Sequence, residues 1–143
     1  MDHKSIGKYI SIIYRQQQII INRKLKKYNL GSGQYMFLIV INKHEGLSQK
    51  DLSKMLDIDK ATTARAIKKL IDLNFIKRKK DKDDKRIFRL FIDEKGRKLM
   101  PEIEKTLKEI TEISKKGLKT KEVGELFRLL DIVMNNNKSY IDK

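Results

Sequence analysis

Two short apolar periodicities, held apart by only the turn Asp57-Ile58-Asp59, set the tightest limit on what this chain can fold into. Ser48-Gln49-Lys50-Asp51 reads as a capping-box-like helix start, and Leu47 is placed to staple against Leu52. Leu52, Met55 and Leu56 then give one apolar face. Asp59 reads as the N-cap of a second helix, from Lys60 to about Leu73. Its Thr63, Ala66, Ile67 and Leu70 recur at threes and fours, so they turn inward. A capped short helix, a tight turn and a second capped helix form a helix-turn-helix. Lys60, Ala61, Thr62, Ala64, Arg65, Lys68 and Lys69 are left facing outward.

Phe75–Lys80 and Ile87–Ile92 read as two short strands joined by the apolar-free run Asp81–Arg86, a β-hairpin with a polar tip. One hairpin is marginal alone and must pack on the helices. Upstream, Ser5–Tyr28 carries a broad apolar stripe and is stopped by Asn29 and Gly31. Ser32–Lys43 is apolar nearly all round, and its length of about a dozen residues argues for a buried helix rather than a strand. Downstream, Asp93–Gly96 opens a stretch in which Leu99, Ile103, Leu107, Ile110 and Ile113 repeat at helical spacing. Pro101 marks a first turn or a small kink, and Gly117 ends the helix. A last helix from about Lys121 turns Val123, Leu126, Phe127, Leu130 and Val133 inward and closes at Asn135-Asn136-Asn137. The expected fold is mainly α with a small β-hairpin wing: one domain over 1–143, with a winged helix-turn-helix lobe at 32–96 and dimerisation helices at 1–31 and 97–143. The stripes Ile6–Leu25, Leu99–Ile113 and Val123–Val133 exceed what so small a lobe needs to cover, which predicts a two-fold homodimer.

Charge decides between partners. The 143 residues hold 34 Lys and Arg against 19 Asp and Glu, a net +15. Residues 60–89 hold twelve basic and four acidic residues, so +8 sits on about a fifth of the chain. Such a domain calls for a polyanion. In a helix-turn-helix the second helix enters the major groove. Arg65 would then pair with guanine, Thr62 with a base or phosphate, and Ala64 with a thymine methyl. Lys60, Lys68 and Lys69 suit phosphates. Eight of the cations, against three acids, lie on Lys77–Arg89. A solvated turn does not require that concentration, whereas a wing entering a minor groove does. Lys79, Lys82, Asp84, Lys85 and Arg86 are its candidate contact residues.

Other classes fit less well. There is no cysteine, which removes disulfides, thiolate metal sites and thiol chemistry. The N-terminus lacks a signal-peptide pattern, and no apolar run approaches the roughly 20 residues of a membrane span, so a cytoplasmic protein is expected. No enzyme motif, cofactor loop or metal spacing is present. His3 sits in a terminal segment and His44 at a helix end, where a cation is ordinary; His44 with Glu45 is a weak metal pair. The first helix could lie on a membrane surface, but dimer packing uses its stripe better. An RNA-binding module or a protein-binding adapter on the same fold remains open; salt-dependent, sequence-selective duplex binding separates them from a DNA reader.

The run from Leu52 to Leu70, then Asn74-Phe75-Ile76-Lys77-Arg78, then Asp81–Arg86 with Leu90 and Gly96, resembles the MarR/SlyA family of winged helix-turn-helix transcription regulators over nearly the whole chain. The most specific part is Asp84-Lys85-Arg86 followed by Ile87 and Leu90. The resemblance implies that Arg86 enters the minor groove and that Asp84 orients it. It implies a homodimeric repressor on a palindromic operator. It also implies a cleft for a small anionic aromatic effector, for which Tyr9, Ile13, Tyr35 and Phe37 are the candidate lining. Two departures from the family pattern stand out: Ala61 and Lys82 stand where Pro is frequent, and Phe91-Ile92-Asp93 stands where Leu-Thr is usual.

Overall fold

The computed structural model describes residues 4–143; His3 lies outside them. The element order is α1 (Ile6–Leu25), α2 (Tyr35–Lys43), α3 (Gln49–Leu56), α4 (Lys60–Asp72), β1 (Ile76–Lys80), β2 (Phe88–Ile92), α5 (Glu94–Ser114) and α6 (Thr120–Ile141), with a 3-10 turn at Lys26–Tyr28 after α1. Three hydrophilic caps fix helix starts. Ser5 accepts from the Lys8 amide, Ser48 from Asp51 and Asp59 from Thr62, each satisfying one orphan N–H of a first turn. Asp57 and Asn74 adopt left-handed backbone, φ +53° and +63°, at the exits of α3 and α4. Short polar side chains tolerate that conformation, so both helices stop sharply.

The chain divides into two compact units, Met1–Leu107 and Lys108–Lys143. In the first, Leu38, Ile41, Leu52, Ile67, Leu70, Leu90 and Ile103 are fully buried. Burying each such side chain is worth about 1.5–3 kcal/mol. The helix-turn-helix is pinned internally by a buried hydroxyl pair, with Ser53 Oγ donating to Thr63 Oγ1 at 2.9 Å. β1 and β2 pair antiparallel in the register Ile76↔Ile92 to Lys80↔Phe88. Leu90 and Ile92 turn into the core while Lys77–Lys80 are exposed. The far edge of β2 is partly covered: Ser48 bridges Arg89, and Leu90 exchanges backbone bonds with Gly46 and Leu47.

Four boundaries differ from the sequence expectation. The first helix gives way to a 3-10 turn after Leu25. Ser32–Gln34 form a turn ahead of α2, where Ser32 donates its amide to Asn22 Oδ1 at 2.7 Å. α5 begins at Glu94, so Pro101 lies inside it and removes the bond that would reach the Arg97 carbonyl. α6 runs through Asn135–Asn137 to Ile141, because asparagine lowers helix propensity by only a few tenths of a kcal/mol, roughly, per residue. Described by itself, α6 buries no residue: Leu126, Phe127 and Leu130 are exposed, and Val123 and Val133 are half-covered. Most of α1 is likewise open, with Ile6, Tyr9, Ile10, Ile13 and Tyr14 exposed and only Ile21 and Leu25 buried.

Candidate nucleic-acid interface

The outward face of α4 is the one its periodicity prescribes. Thr63, Ala66, Ile67 and Leu70 are buried; Lys60, Ala61, Ala64, Arg65, Lys68 and Lys69 are exposed; Thr62 is half-buried. The helix start carries a short relay. Asp59 Oδ1 accepts from the Thr62 amide at 2.7 Å and Asp59 Oδ2 from the Thr62 hydroxyl at 2.8 Å. The same hydroxyl accepts from Arg65 Nη2 at 3.1 Å. Thr62, expected to meet a base or phosphate itself, is thereby engaged in holding Arg65 over the first turn. The Thr62 amide and hydroxyl hold the Asp59 carboxyl below its usual range.

The hairpin tip is equally ordered. Arg86 and Asp84 form a two-pronged pair, Nε to Oδ1 at 3.0 Å and Nη2 to Oδ2 at 3.1 Å, and the Arg86 amide also donates to Oδ1. Asp84 therefore restrains a guanidinium whose side chain is 91% exposed. Lys82 and Lys85 project from the same tip, and Lys79 lies 5.4 Å from the Phe91 ring centre. A cleft of about 500 Å³ lies between the start of α3 and the hairpin, with Lys50, Lys60, Arg86 and Arg89 among its lining residues.

Sequence reasoning misses Lys50 because it belongs to the first helix of the motif; only the fold brings it beside Lys60 and Arg86. Charge counting groups Arg89 with the outward cations, but its Nε sits 2.6 Å from Asp81 Oδ1 and its Nη1 2.9 Å from the Gly46 carbonyl. Glu45 is engaged as well: it accepts from the Ile92 amide at 2.9 Å and pairs with Arg97 at 3.6 Å. That leaves little of the weak metal pair with His44.

Of the four residues considered for an effector cleft, Tyr9 and Ile13 are exposed on α1, Tyr35 is half-buried on α2, and Phe37 is 2% exposed and part of the core. Burial, and then the neighbouring Tyr14, raise the Tyr35 hydroxyl above its usual pKa.

The wing carboxylates make a pH prediction. Arg89 holds Asp81, and Arg86 holds Asp84, below the usual carboxylate pKa. A depressed folded pKa gives stabilisation that is complete above the unfolded value, about 4, and lost as pH falls through the folded value. Amide exchange over residues 81–89, corrected for its intrinsic pH dependence, should show constant protection from pH 7 to 5 and a decline only below about 4. A change in protection between pH 7 and 5 would mean that these pairs do not hold the tip.

Among the described residues, no helix is long and apolar enough to cross a membrane. Comparisons with known proteins agree with the geometry. The MarR family model matches residues 30–88. An uncharacterized HTH-type transcriptional regulator of Bacillus subtilis (strain 168), YybA, is 35% identical over 127 residues, 89% of this chain and 85% of the relative. The crystal structure of a MarR transcriptional regulator from Methanosarcina mazei Go1 superposes with a TM-score of 0.90 at 41% identity, covering 94% of this chain and 97% of that one. A MarR family regulator from Listeria monocytogenes, solved in complex with 26mer DNA, gives a TM-score of 0.86 at 34% identity, covering 94% and 89%. These relatives are transcription regulators, not enzymes. With the winged helix-turn-helix, its wing and near full-length similarity all present, the chain belongs to the MarR family of transcription regulators.

Proposed function

We propose that the protein binds double-stranded DNA in the cytoplasm as a homodimer, reading a palindromic operator and repressing by occlusion. The observation that carries this reading is the placement of Arg65 and Arg86. Thr62 tethers the one on the exposed face of α4, Asp84 restrains the other at the hairpin tip, and the cleft of about 500 Å³ lies between α3 and the hairpin. With α4 in a major groove, Arg65 faces base edges and Ala64 a thymine methyl. Lys60, Lys68, Lys69 and Lys50 meet phosphates. The wing, with Lys79, Lys82, Lys85 and Arg86, follows the flanking minor groove, whose narrow A·T-rich form attracts arginine. The Listeria relative solved in complex with 26mer DNA supports DNA over RNA as the polyanion.

The exposed apolar faces of α1 and α6 support self-association. Exposed apolar helix faces of this kind are seldom left open on a monomer, and a two-fold partner covers each with apolar surface of a second copy. Two copies then present two α4 helices about one turn, roughly 10 base pairs, apart. Light scattering at micromolar concentration should give twice 16.9 kDa. Selection from random duplexes should recover an inverted repeat. A strict monomer, or recovery of single half-sites, contradicts the dimer; binding to RNA in preference to duplex DNA contradicts the operator. Regulation by a small anionic aromatic compound is the family-derived extension. Tyr9, Ile13 and Tyr35 are its candidate contacts, and thermal shifts with and without operator test it.

A further inference from the structure

We propose that Asp81 and Arg89 are a positioning pair that fixes the angle of the wing on the helix-turn-helix, and that Arg89 is not a DNA contact. The proposal rests on the DNA-binding reading above. Asp81 closes β1, and its carboxylate serves both sides of the tip. Oδ2 accepts from the amides of Asp83 and Asp84 at 3.1 and 3.0 Å, in the turn that leads to Arg86. Oδ1 accepts from Arg89 Nε at 2.6 Å, on the strand that leaves the tip. The Asp81 amide donates across the hairpin to the Ile87 carbonyl at 2.9 Å.

Arg89 carries the link onward. Its Nη1 donates to the Gly46 carbonyl at 2.9 Å, 43 residues earlier in the chain. Gly46 donates its own amide to the Leu90 carbonyl, Leu90 donates to Leu47, and Ser48 bridges Arg89. Ser48 is also the cap of α3. A continuous set of hydrogen bonds thus runs from the Arg86-bearing turn, through one carboxylate and one guanidinium, to Gly46, two residues before the Ser48 cap of the helix-turn-helix. Exposure separates the two arginines: the Arg86 side chain is 91% exposed, whereas Arg89 is 41% and its partner Asp81 17% exposed. Arg89 would have to break charge-assisted bonds to reach a phosphate, and such bonds are about twice as strong as neutral ones. Arg86 keeps its outer face open.

The sign of one substitution separates positioning from simple charge. Asp81→Asn removes a negative charge from a DNA-facing hairpin, so charge alone would tighten binding. Loss of the brace loosens it. Asp83→Asn makes the same change in charge at a tip residue whose carboxylate lies outside this network. The experiment compares Asp81→Asn, Asp83→Asn and Arg89→Lys with the unsubstituted protein. The probes are the duplex selected by the unsubstituted protein and a mixed-sequence duplex, and amide exchange is measured on each free protein. Asp83→Asn should tighten binding about twofold. Asp81→Asn should weaken binding to the selected duplex by about tenfold. Arg89→Lys keeps the charge but not the fork, and should weaken binding like Asp81→Asn. Both weakened variants should exchange faster over 81–89, with the α4 amides unchanged. An Asp81→Asn variant that tracks Asp83→Asn, or an Arg89→Lys variant that binds like the parent, overturns the brace. If the unsubstituted protein does not distinguish the two duplexes, the DNA reading fails instead. The exchange data then decide the brace alone, and unaltered exchange in Asp81→Asn overturns it.

Discussion

Replacing Gly96 by alanine should lower stability by about 3 kcal/mol, a fall in melting temperature of about 10 °C. Helix propensity predicts the opposite sign, since alanine is favoured over glycine by roughly 1 kcal/mol inside a helix. The first turn of α5 reverses it. A Cβ on Gly96 would meet the Phe75 carbonyl oxygen at 2.2 Å, its carbon at 3.0 Å and Ile92 Cγ1 at 3.1 Å. Two of those three atoms are backbone and cannot swing aside. The Phe75 carbonyl is fixed as well, because it accepts the Asp93 amide at 2.9 Å, and the Phe75 side chain is 2% exposed. Relief must come from moving α5 or the α4–β1 junction, and both carry core residues. Gly33 is the control. It lies in a turn in the same unit, with nothing within 4 Å of a Cβ and no left-handed φ, so alanine there should raise stability by about 0.5 kcal/mol through the unfolded state. Thermal or denaturant unfolding of both variants checks the pair. An unchanged midpoint for Gly96→Ala would show that α5 can shift freely against the end of α4.

Replacing Arg65 by alanine should remove about 1–3 kcal/mol of discrimination at one or two base pairs in each half-site. The effect is felt twice in a two-fold complex. Folding should be unaffected, since Arg65 is exposed and its bond to Thr62 is at the surface. Thr62→Val should produce a weaker change at the same base pairs, because it removes the hydroxyl that accepts from Arg65 while leaving the guanidinium in place. Arg86→Ala should behave differently. It should weaken binding across sequences, relax any A·T preference in the flanks and flatten the salt dependence by roughly one unit for each phosphate no longer neutralised. The measurement is affinity for single-base operator variants at several salt concentrations. An unchanged base profile in Arg65→Ala places α4 outside the major groove.

The helix-turn-helix is legible in the sequence because each signal there is local. Ser48 and Asp59 cap within three residues, and the inward face of α4 follows from its period alone. The Asp84–Arg86 pair is also local, two residues apart. Asp81 and Arg89 are not. They meet only because Lys79 lies opposite Arg89, which brings the strand-end carboxylate within reach of the guanidinium. Counting charges along the run therefore groups Arg89 with the wing's other cations. Gly46 as its acceptor depends on how the loop before α3 lies beside β2, and no spacing reveals that. The terminal stripes are legible as apolar faces. That α1 and α6 bury so little within one chain is a property of the fold, because periodicity names a face without naming its cover.

The run Lys77-Arg78-Lys79-Lys80 also guards against aggregation. Among the described residues β1 pairs only with β2, so its outer edge offers unpaired amides and carbonyls to any passing strand. Four adjacent cations on that edge repel a second hairpin carrying the same charges, and repulsion is strongest while the protein is free of a polyanion. The charge that draws the protein to its partner thus keeps unoccupied copies from stacking edge to edge. Variants that neutralise these lysines to probe binding would lose solubility along with affinity.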